Sequence, residues 1–238
     1  MPVPKVAQIF KKVAPPTTTF FLLRHAHSTA NENSILAGQD NSIGLSGIGD
    51  AQAQSLVEIL TSLEISMVIT SPLLRCKETI APFIASQSKL VARQDTGIIE
   101  MNYGDWSGKK LSRLSKQPLW RRIQGNPAGV RFPDGESFLE MLSRSSQSIE
   151  NLRGSGGRVL VVSHGDVIKV LITHFLGAPL NTFQKLSIDP ASISILKFSG
   201  DSFNLVSANA THHLPKIAKK SGKGRNGFIL GGGSGGSA

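Results

Sequence analysis

Cysteine is almost absent from this chain of 238 residues, because Cys76 is its only one. A single thiol cannot form a disulfide within the chain, and it excludes a cysteine-rich metal site. We therefore expect the protein to work in the reducing cytoplasm. Two interpretations of Cys76 are open: it is a nucleophile, or it is a small buried apolar side chain, as lone cysteines usually are.

Aromatic residues and long apolar runs are scarce as well. The chain has one Tyr and two Trp, which is few for a protein that stacks on nucleic-acid bases. No apolar run approaches the ~20 residues of a membrane-spanning helix. The first residues also lack the apolar stretch of a secretory signal. The sequence therefore disfavours both a membrane and a nucleic acid as partners.

Acidic residues are missing from both ends of the chain. The basic residues at these ends therefore contribute most of the net charge of +10. Residues 1–16 carry 3 of the 26 basic residues and residues 215–238 carry 5, whereas all 16 acidic residues lie between them. Basic tails attract nucleic acid or acidic lipid weakly and are usually solvated. We expect a flexible basic arm over 1–16, one globular domain over 17–210 and a disordered, basic and Gly-rich tail over 211–238.

Short buried-strand patterns alternate with amphipathic helix patterns along the globular part. This alternation predicts an α/β fold, a three-layer α/β/α sandwich in which helices cover both faces of a mostly parallel sheet. A final hairpin would add an antiparallel edge, and the polar residues 28–45 are predicted to form a loop. The predicted strands are 18–23, 66–70, 158–163, 192–198 and 203–208. The predicted helices are 47–63, 73–86, 136–152 and 165–176, with one or two short helices within 111–124.

Two of the predicted strands end in a histidine, His25 and His164. Because parallel strands bring their carboxyl ends to one edge of a sheet, the two imidazoles are expected to converge. Arg24 and Arg75 also follow strand ends, and guanidinium groups have forked donors that match phosphate oxygens. A neutral imidazole is a competent nucleophile. The pattern therefore predicts a pocket for a tetrahedral dianion.

Phosphoryl transfer also needs a proton for the leaving oxygen. Glu100 is the best candidate donor, since it follows a short apolar segment and precedes a Gly/Trp turn. Partial burial would raise the pKa of its carboxyl group and favour the protonated acid.

Six segments, in the expected order, resemble the motifs of the histidine phosphatase superfamily, the phosphoglycerate-mutase-like enzymes. The resemblance covers roughly residues 18–208 and implies a phosphoglycerate-mutase-like sheet. A narrower similarity of 118–121 and 164–169 is to an actinobacterial group known as probable phosphomutases. The six segments are Arg24-His25-Ala26-His27-Ser28 with Asn31, Leu45-Ser46-Gly47-Ile48-Gly49 with Gln52-Ala53, Ser71-Pro72-Leu73-Leu74-Arg75-Cys76 with Thr79, Glu100-Met101-Asn102-Tyr103-Gly104-Asp105-Trp106-Ser107-Gly108, Phe132-Pro133-Asp134-Gly135-Glu136-Ser137 and Val162-Ser163-His164-Gly165.

The resemblance implies a role for each matching residue. His25 would accept the phosphoryl group, and Glu100 would donate a proton and then act as a base. Arg24, Arg75 and His164 would bind the phosphoryl group and stabilise its transition state. Asn31 would line the substrate side of this phosphate-binding set. No metal and no organic cofactor is implied, because the cationic pocket neutralises the charge.

Two positions depart from the motif of the family. Ala26 replaces the usual Gly, so the backbone after the nucleophile must tolerate a Cβ atom. His27 replaces the usual Glu, and it either adds positive charge to the pocket or points elsewhere. Neither change removes a residue of the implied chemistry, so we expect activity.

The most favoured function is a phosphomonoesterase acting on a small anionic metabolite. One alternative is a phosphomutase of the phosphoglycerate-mutase type, and another is a degenerate binding protein that has lost catalysis. Residues 109–131 carry seven basic and no acidic side chains. This segment is either a solvated basic face or a lid that recruits an anionic substrate.

Overall fold

The computed structural model describes residues 16–212, so the predicted basic arm and Gly-rich tail lie almost entirely outside the described residues. Within this range, every helix is too short or too polar to span a lipid bilayer. The strands are β1 Thr17–Arg24, β2 Met67–Thr70, β3 Ala92–Gln94, β4 Gly157–Ser163, β5 Ile193–Ser199 and β6 Ser202–Ala210. The helices are α1 Thr29–Glu32, α2 Gly47–Ser62, α3 Leu74–Ala85, α4 Leu111–Leu114, α5 Pro118–Gly125, α6 Phe138–Arg153 and α7 Gly165–Phe175.

The strands form one sheet in the order β3-β2-β4-β1-β5-β6. The first four strands in this order run parallel, whereas β5 is antiparallel to β1 and β6 is antiparallel to β5. The predicted mostly parallel sheet is therefore confirmed, and its antiparallel edge is two strands wide. β1 is paired on both sides and covered on both faces, which explains the uninterrupted apolar run Phe20-Phe21-Leu22-Leu23 at its centre.

The side chains of β1 show how the interior is divided into two layers. Phe20 and Leu22 join the apolar cluster under α6 and α7. Phe21 and Leu23 point to the opposite face, where they pack under α2 and α3. Successive residues of a strand face opposite sides, and burying each such side chain stabilises the fold by about 1.5 to 3 kcal/mol. The structure is thus the predicted three-layer sandwich.

Serine caps set the starts of several helices. Ser46 caps α2, because its side chain accepts the backbone N–H of Gly49. Helix α6 begins slightly later than predicted, because Ser137 forms a capping box with Glu140. A second capping box, between Ser28 and Asn31, produces the short helix α1 inside the predicted loop. The prediction of an uninterrupted loop was therefore wrong over these few residues.

Candidate active site

Two histidines meet at the carboxyl-terminal edge of the sheet. His25 follows β1 and His164 follows β4, and these parallel neighbours pair in a register that places Arg24 opposite Ser163. The centroids of the two imidazole rings lie 5.3 Å apart. Both side chains are buried. The structure therefore brings together two residues that stand in opposite halves of the sequence.

The ring of His25 is oriented by the backbone around it. Its Nδ1 lies 2.8 Å from the carbonyl oxygen of Ala26, and its backbone N–H donates to the carbonyl of Ser163. A carbonyl oxygen only accepts, so Nδ1 carries the ring proton and Nε2 keeps its lone pair. Burial, followed by the charges of Arg75 and Arg24, holds the pKa of His25 well below its usual value. The ring is therefore neutral near pH 7, and its Nε2 lone pair is available to act as a nucleophile.

The ring of His164 is oriented by a side chain instead. Its Nε2 lies 2.8 Å from the hydroxyl oxygen of Ser71, which follows β2. A Ser71 hydroxyl that donates to Nε2 leaves the ring proton on Nδ1, where it is a donor on the side of Glu100. Burial, followed by the charge of Arg75, lowers the pKa of His164 well below its usual value. In the sequence, Ser71 stands out only as part of a family motif, and its contact with His164 was not predicted.

Two arginines beside the histidines are almost completely buried. Arg24 and Arg75 are each 1% exposed. Arg24 donates from Nη1 to the carbonyl oxygen of Ile188 at 2.7 Å, and Arg75 donates from Nη2 to that of Gly38 at 2.8 Å. Carbonyl partners orient the guanidinium groups without cancelling their positive charge. The pocket is therefore strongly electropositive, which suits a phosphate dianion.

Glu100 reaches the same pocket from the irregular segment after β3. One carboxyl oxygen accepts the backbone N–H of Met101 at 2.9 Å, and the other lies 3.9 Å from Nδ1 of His164. Burial, followed by the negative charge of Asp166, raises the pKa of Glu100 to about 7, although Arg75 acts in the opposite direction. Since His164 is neutral, this contact is not an ion pair. Glu100 can both donate and accept a proton near neutral pH.

Asn31 lies in α1, one short turn beyond His25 in the chain. Its side-chain oxygen accepts hydrogen bonds from the backbone N–H and the hydroxyl of Ser28, at 3.0 and 2.9 Å. The observed contacts of Asn31 therefore organise the loop that follows His25. Its predicted contact with substrate stays a prediction.

The two departures from the family motif are accommodated without strain. The backbone of Ala26 is not in the left-handed region, and its side chain is buried in the apolar cluster under α2 and α3. His27 donates its backbone N–H to Gln52, and its ring Nδ1 lies 2.8 Å from the hydroxyl of Ser46. Burial is the main cause that lowers the pKa of His27. These contacts favour a structural role for His27 at the start of α2.

Cys76 lies within the site but is poorly suited to react. Its side chain is buried, with Sγ 3.6 Å from Nε2 of His164. Burial raises the pKa of the Cys76 thiol to about 12, so the thiolate is scarce near neutral pH. The structure therefore favours the interpretation of Cys76 as a small buried side chain.

The basic segment 109–131 packs beside the loop that follows α1. The backbone N–H of Leu36 donates to the carbonyl of Lys109, and the N–H of Leu111 donates to that of Ser34. In the middle of the segment, Trp120 stacks on Trp106 with ring centroids 6.2 Å apart. Trp106 follows Glu100 in the chain, so the basic segment packs against the segment that carries Glu100. Its exposed basic residues are Lys110, Arg113, Lys116, Arg121, Arg122 and Arg131.

The chain is similar to one family model and to several known proteins. The family model described as "Histidine phosphatase superfamily (branch 1)" matches residues 20–211. The chain is 33% identical over 179 residues to "Probable phosphoglycerate mutase GpmB" of Erwinia tasmaniensis, a match covering 73% of this chain and 82% of that protein. It is 30% identical over 180 residues to "Probable phosphatase C1687.21" of Schizosaccharomyces pombe, covering 73% of this chain and 81% of the relative.

Two solved structures are similar over most of their length. One is Bacillus stearothermophilus YhfR, with a TM-score of 0.77 and 25% identity, covering 83% of this chain and 100% of the other. The second is a mycobacterial glucosyl-3-phosphoglycerate phosphatase in complex with VO3, with a TM-score of 0.73 and 26% identity, covering 81% of this chain and 99% of the other.

Proposed function

Since this chain belongs to the histidine phosphatase superfamily, we propose that it hydrolyses a phosphate monoester of a small anionic metabolite through a phosphohistidine at Nε2 of His25. The observation that carries this proposal is the hydrogen bond from Nδ1 of His25 to a backbone carbonyl. This bond fixes the tautomer in which Nε2 keeps its lone pair, inside a pocket lined by buried guanidinium groups. The cytoplasm stays the proposed location.

The first step transfers the phosphoryl group to the enzyme. Nε2 of His25 attacks phosphorus, and the bond between phosphorus and the ester oxygen breaks. Glu100 gives its carboxyl proton to the departing oxygen, which leaves as an alcohol. Arg24, Arg75 and His164 donate hydrogen bonds to the nonbridging oxygens, where they stabilise the charge of the transition state.

The second step releases phosphate and restores the enzyme. Glu100, now ionised, takes a proton from a water molecule, whose oxygen attacks phosphorus. The bond between phosphorus and Nε2 of His25 breaks, which frees inorganic phosphate and regenerates the protonated acid. A carboxyl group with a pKa of about 7 serves both steps, because acid and base forms coexist near neutral pH.

Hydrolysis is favoured over a mutase reaction, but the two share this first step. The phosphatases among the relatives and solved neighbours support hydrolysis, whereas the relatives named as phosphoglycerate mutases support the alternative. The basic segment 109–131 supports an anionic substrate in either case. Isomerisation of 3-phosphoglycerate in the presence of its bisphosphate primer would identify a mutase of the phosphoglycerate type.

The central test is detection of the covalent intermediate. A radiolabelled generic phosphate ester should label the wild-type protein with an acid-labile, base-stable bond, and His25→Ala should abolish the label. His174→Ala is a matched control, since His174 is an exposed histidine at the end of α7. Unlabelled wild-type protein, or labelling that survives His25→Ala, would overturn the proposal and leave a binding protein as the alternative. A screen of phosphorylated metabolites for phosphate release would then identify the substrate.

A further inference from the structure

We propose that Tyr103 and Asp166 form a positioning pair that holds the proton donor Glu100 against His164 and supplies part of the negative field around it. The inference rests on the proposed function, because it concerns the donor of that reaction. Neither residue touches the reacting atoms, so both act through Glu100.

The first support is a buried hydrogen bond between the two residues. The hydroxyl of Tyr103 donates to Oδ2 of Asp166 at 2.7 Å, and both side chains are fully buried. Tyr103 lies three residues after Glu100, and Asp166 lies two residues after His164. The bond therefore links the irregular segment that carries Glu100 to helix α7, which begins beside His164.

The remaining contacts make this tie rigid. The ring of Tyr103 packs edge-on against Phe132, with centroids 5.1 Å apart. The next residue, Gly104, has a positive φ of 52°, and a Cβ atom there would lie 1.9 Å from the carbonyl oxygen of Pro133. Only a glycine lets the segment that carries Glu100 pack so closely against the loop at Pro133. The acid-bearing segment is consequently fixed at Tyr103 and at the following Gly104.

Asp166 also has a buried counter-charge. Nζ of Lys169, one helical turn further along α7, lies 3.8 Å from Oδ1 of Asp166 and donates to Oε1 of Gln184 at 3.4 Å. Lys169 is only 2% exposed. A buried charge without a partner would be strongly destabilising, so this pairing explains how a carboxylate can be kept under the pocket. A carboxylate placed there favours a second, protonated carboxyl group nearby.

The field at Glu100 is the sum of several groups, of which Asp166 makes the largest contribution that opposes ionisation after burial itself. Arg75 and Arg24 favour ionisation of Glu100. The charged and titratable groups around Glu100 are Arg24 at the end of β1, Arg75 and Cys76 on α3, Tyr103 in the same segment, Arg144 on α6, and His164, Asp166 and Lys169 at the start of α7.

The test compares two phosphate esters that differ in their need for a proton. β-Glycerophosphate releases an alkoxide that must be protonated, whereas p-nitrophenyl phosphate releases a stable phenolate. Asp166→Asn keeps an oxygen for the Tyr103 hydroxyl but removes the charge. Asp166→Asn should move the alkaline limb of kcat/KM for β-glycerophosphate to lower pH, so that kcat/KM near pH 8 falls about tenfold. The loss with p-nitrophenyl phosphate should be at most about twofold.

Tyr103→Phe tests the hydrogen bond without changing the packing. It should lower kcat for β-glycerophosphate about fivefold with KM unchanged, again with little effect on p-nitrophenyl phosphate. The double variant should lose more kcat than either single variant, because Asp166→Asn removes the charge whereas Tyr103→Phe removes the hydrogen bond. Asp50→Asn is the matched control, since Asp50 is exposed on α2.

Two results would overturn the inference. One is that folded Asp166→Asn keeps the wild-type alkaline limb. The other, which decides the matter if Asp166→Asn does not fold, is that Tyr103→Phe lowers kcat by the same factor with both esters. Either result would assign the pair to fold stability alone. A wild-type enzyme that forms no phosphohistidine would instead refute the proposed function, so the two failures are distinguishable.

Discussion

The two halves of the site are built in different ways. Arg24, His25 and His164 occupy the tips of two paired parallel strands, where backbone hydrogen bonds between β1 and β4 fix their positions. Glu100 lies in an irregular segment, which is held by buried side-chain contacts with α6 and α7. A strand tip keeps its place when side chains change, whereas the irregular half depends on particular polar groups. Mutations and pH should therefore perturb the position of Glu100 more readily than that of His25.

The largest effect is expected from Glu100→Gln, which removes the proton donor and keeps the nucleophile. We expect kcat/KM for β-glycerophosphate to fall about 10³-fold, within the range of general acid catalysis. The alkaline limb near pH 7 should disappear, because no group titrates in its place. A pH series of initial rates measures both, with Glu150→Gln on the exposed face of α6 as the control. A limb that persists in Glu100→Gln would show that another group is the acid.

The same substitution should stabilise the protein at high pH. Burial and Asp166 raise the pKa of Glu100 from 4.5 to about 7, so the folded protein holds a proton that the unfolded chain has already released. The contribution of Glu100 is therefore greatest below its unfolded pKa and is lost as the pH rises towards 7. Near pH 8, Glu100→Gln should raise the free energy of unfolding by roughly 3 kcal/mol, with little change near pH 4. Urea denaturation without phosphate measures this, and equal stabilities at both pH values would contradict it.

A smaller effect is expected from Ser71→Ala, which frees the ring of His164 from its side-chain partner. We expect kcat/KM to fall about tenfold, because one hydrogen-bond donor to the transition state loses its orientation. The phosphohistidine should still form on His25, which Ser71 does not hold. Ser42→Ala, at an exposed serine between α1 and α2, is the matched control. An unchanged kcat/KM would mean that the pocket itself orients His164.

The smallest effect is expected from Ala26→Gly, which restores the usual residue of the family. The bond that orients His25 is to a backbone carbonyl, so kcat/KM should change less than about twofold. The free energy of unfolding should fall by about 1 kcal/mol, since a buried methyl group is lost and the unfolded chain gains freedom. Chemical denaturation and steady-state kinetics test both parts. A large change in activity would show that the Cβ atom of Ala26 helps to set the nucleophile.

The same contrast explains which parts of the site the sequence could predict. Apolar runs that end in Arg24-His25 and in Ser163-His164 locate the strand tips by local pattern alone. By contrast, the bonds from Ser71 to His164 and from Tyr103 to Asp166 join residues 93 and 63 positions apart. No periodicity in the sequence indicates such contacts. Helix α1 was missed for a different reason, because a four-residue helix made by one capping box has no apolar repeat.

The stacked pair of tryptophans gives this enzyme a built-in optical reporter. Trp106 and Trp120 are the only two tryptophans of the chain, and they stack where the basic segment 109–131 packs against the segment that carries Glu100. Intrinsic emission therefore comes from a single location, without an added dye or an engineered label. Any ligand that pulls the segment towards the pocket or away from it must alter the overlap of the two indoles, and so the fluorescence of the whole protein.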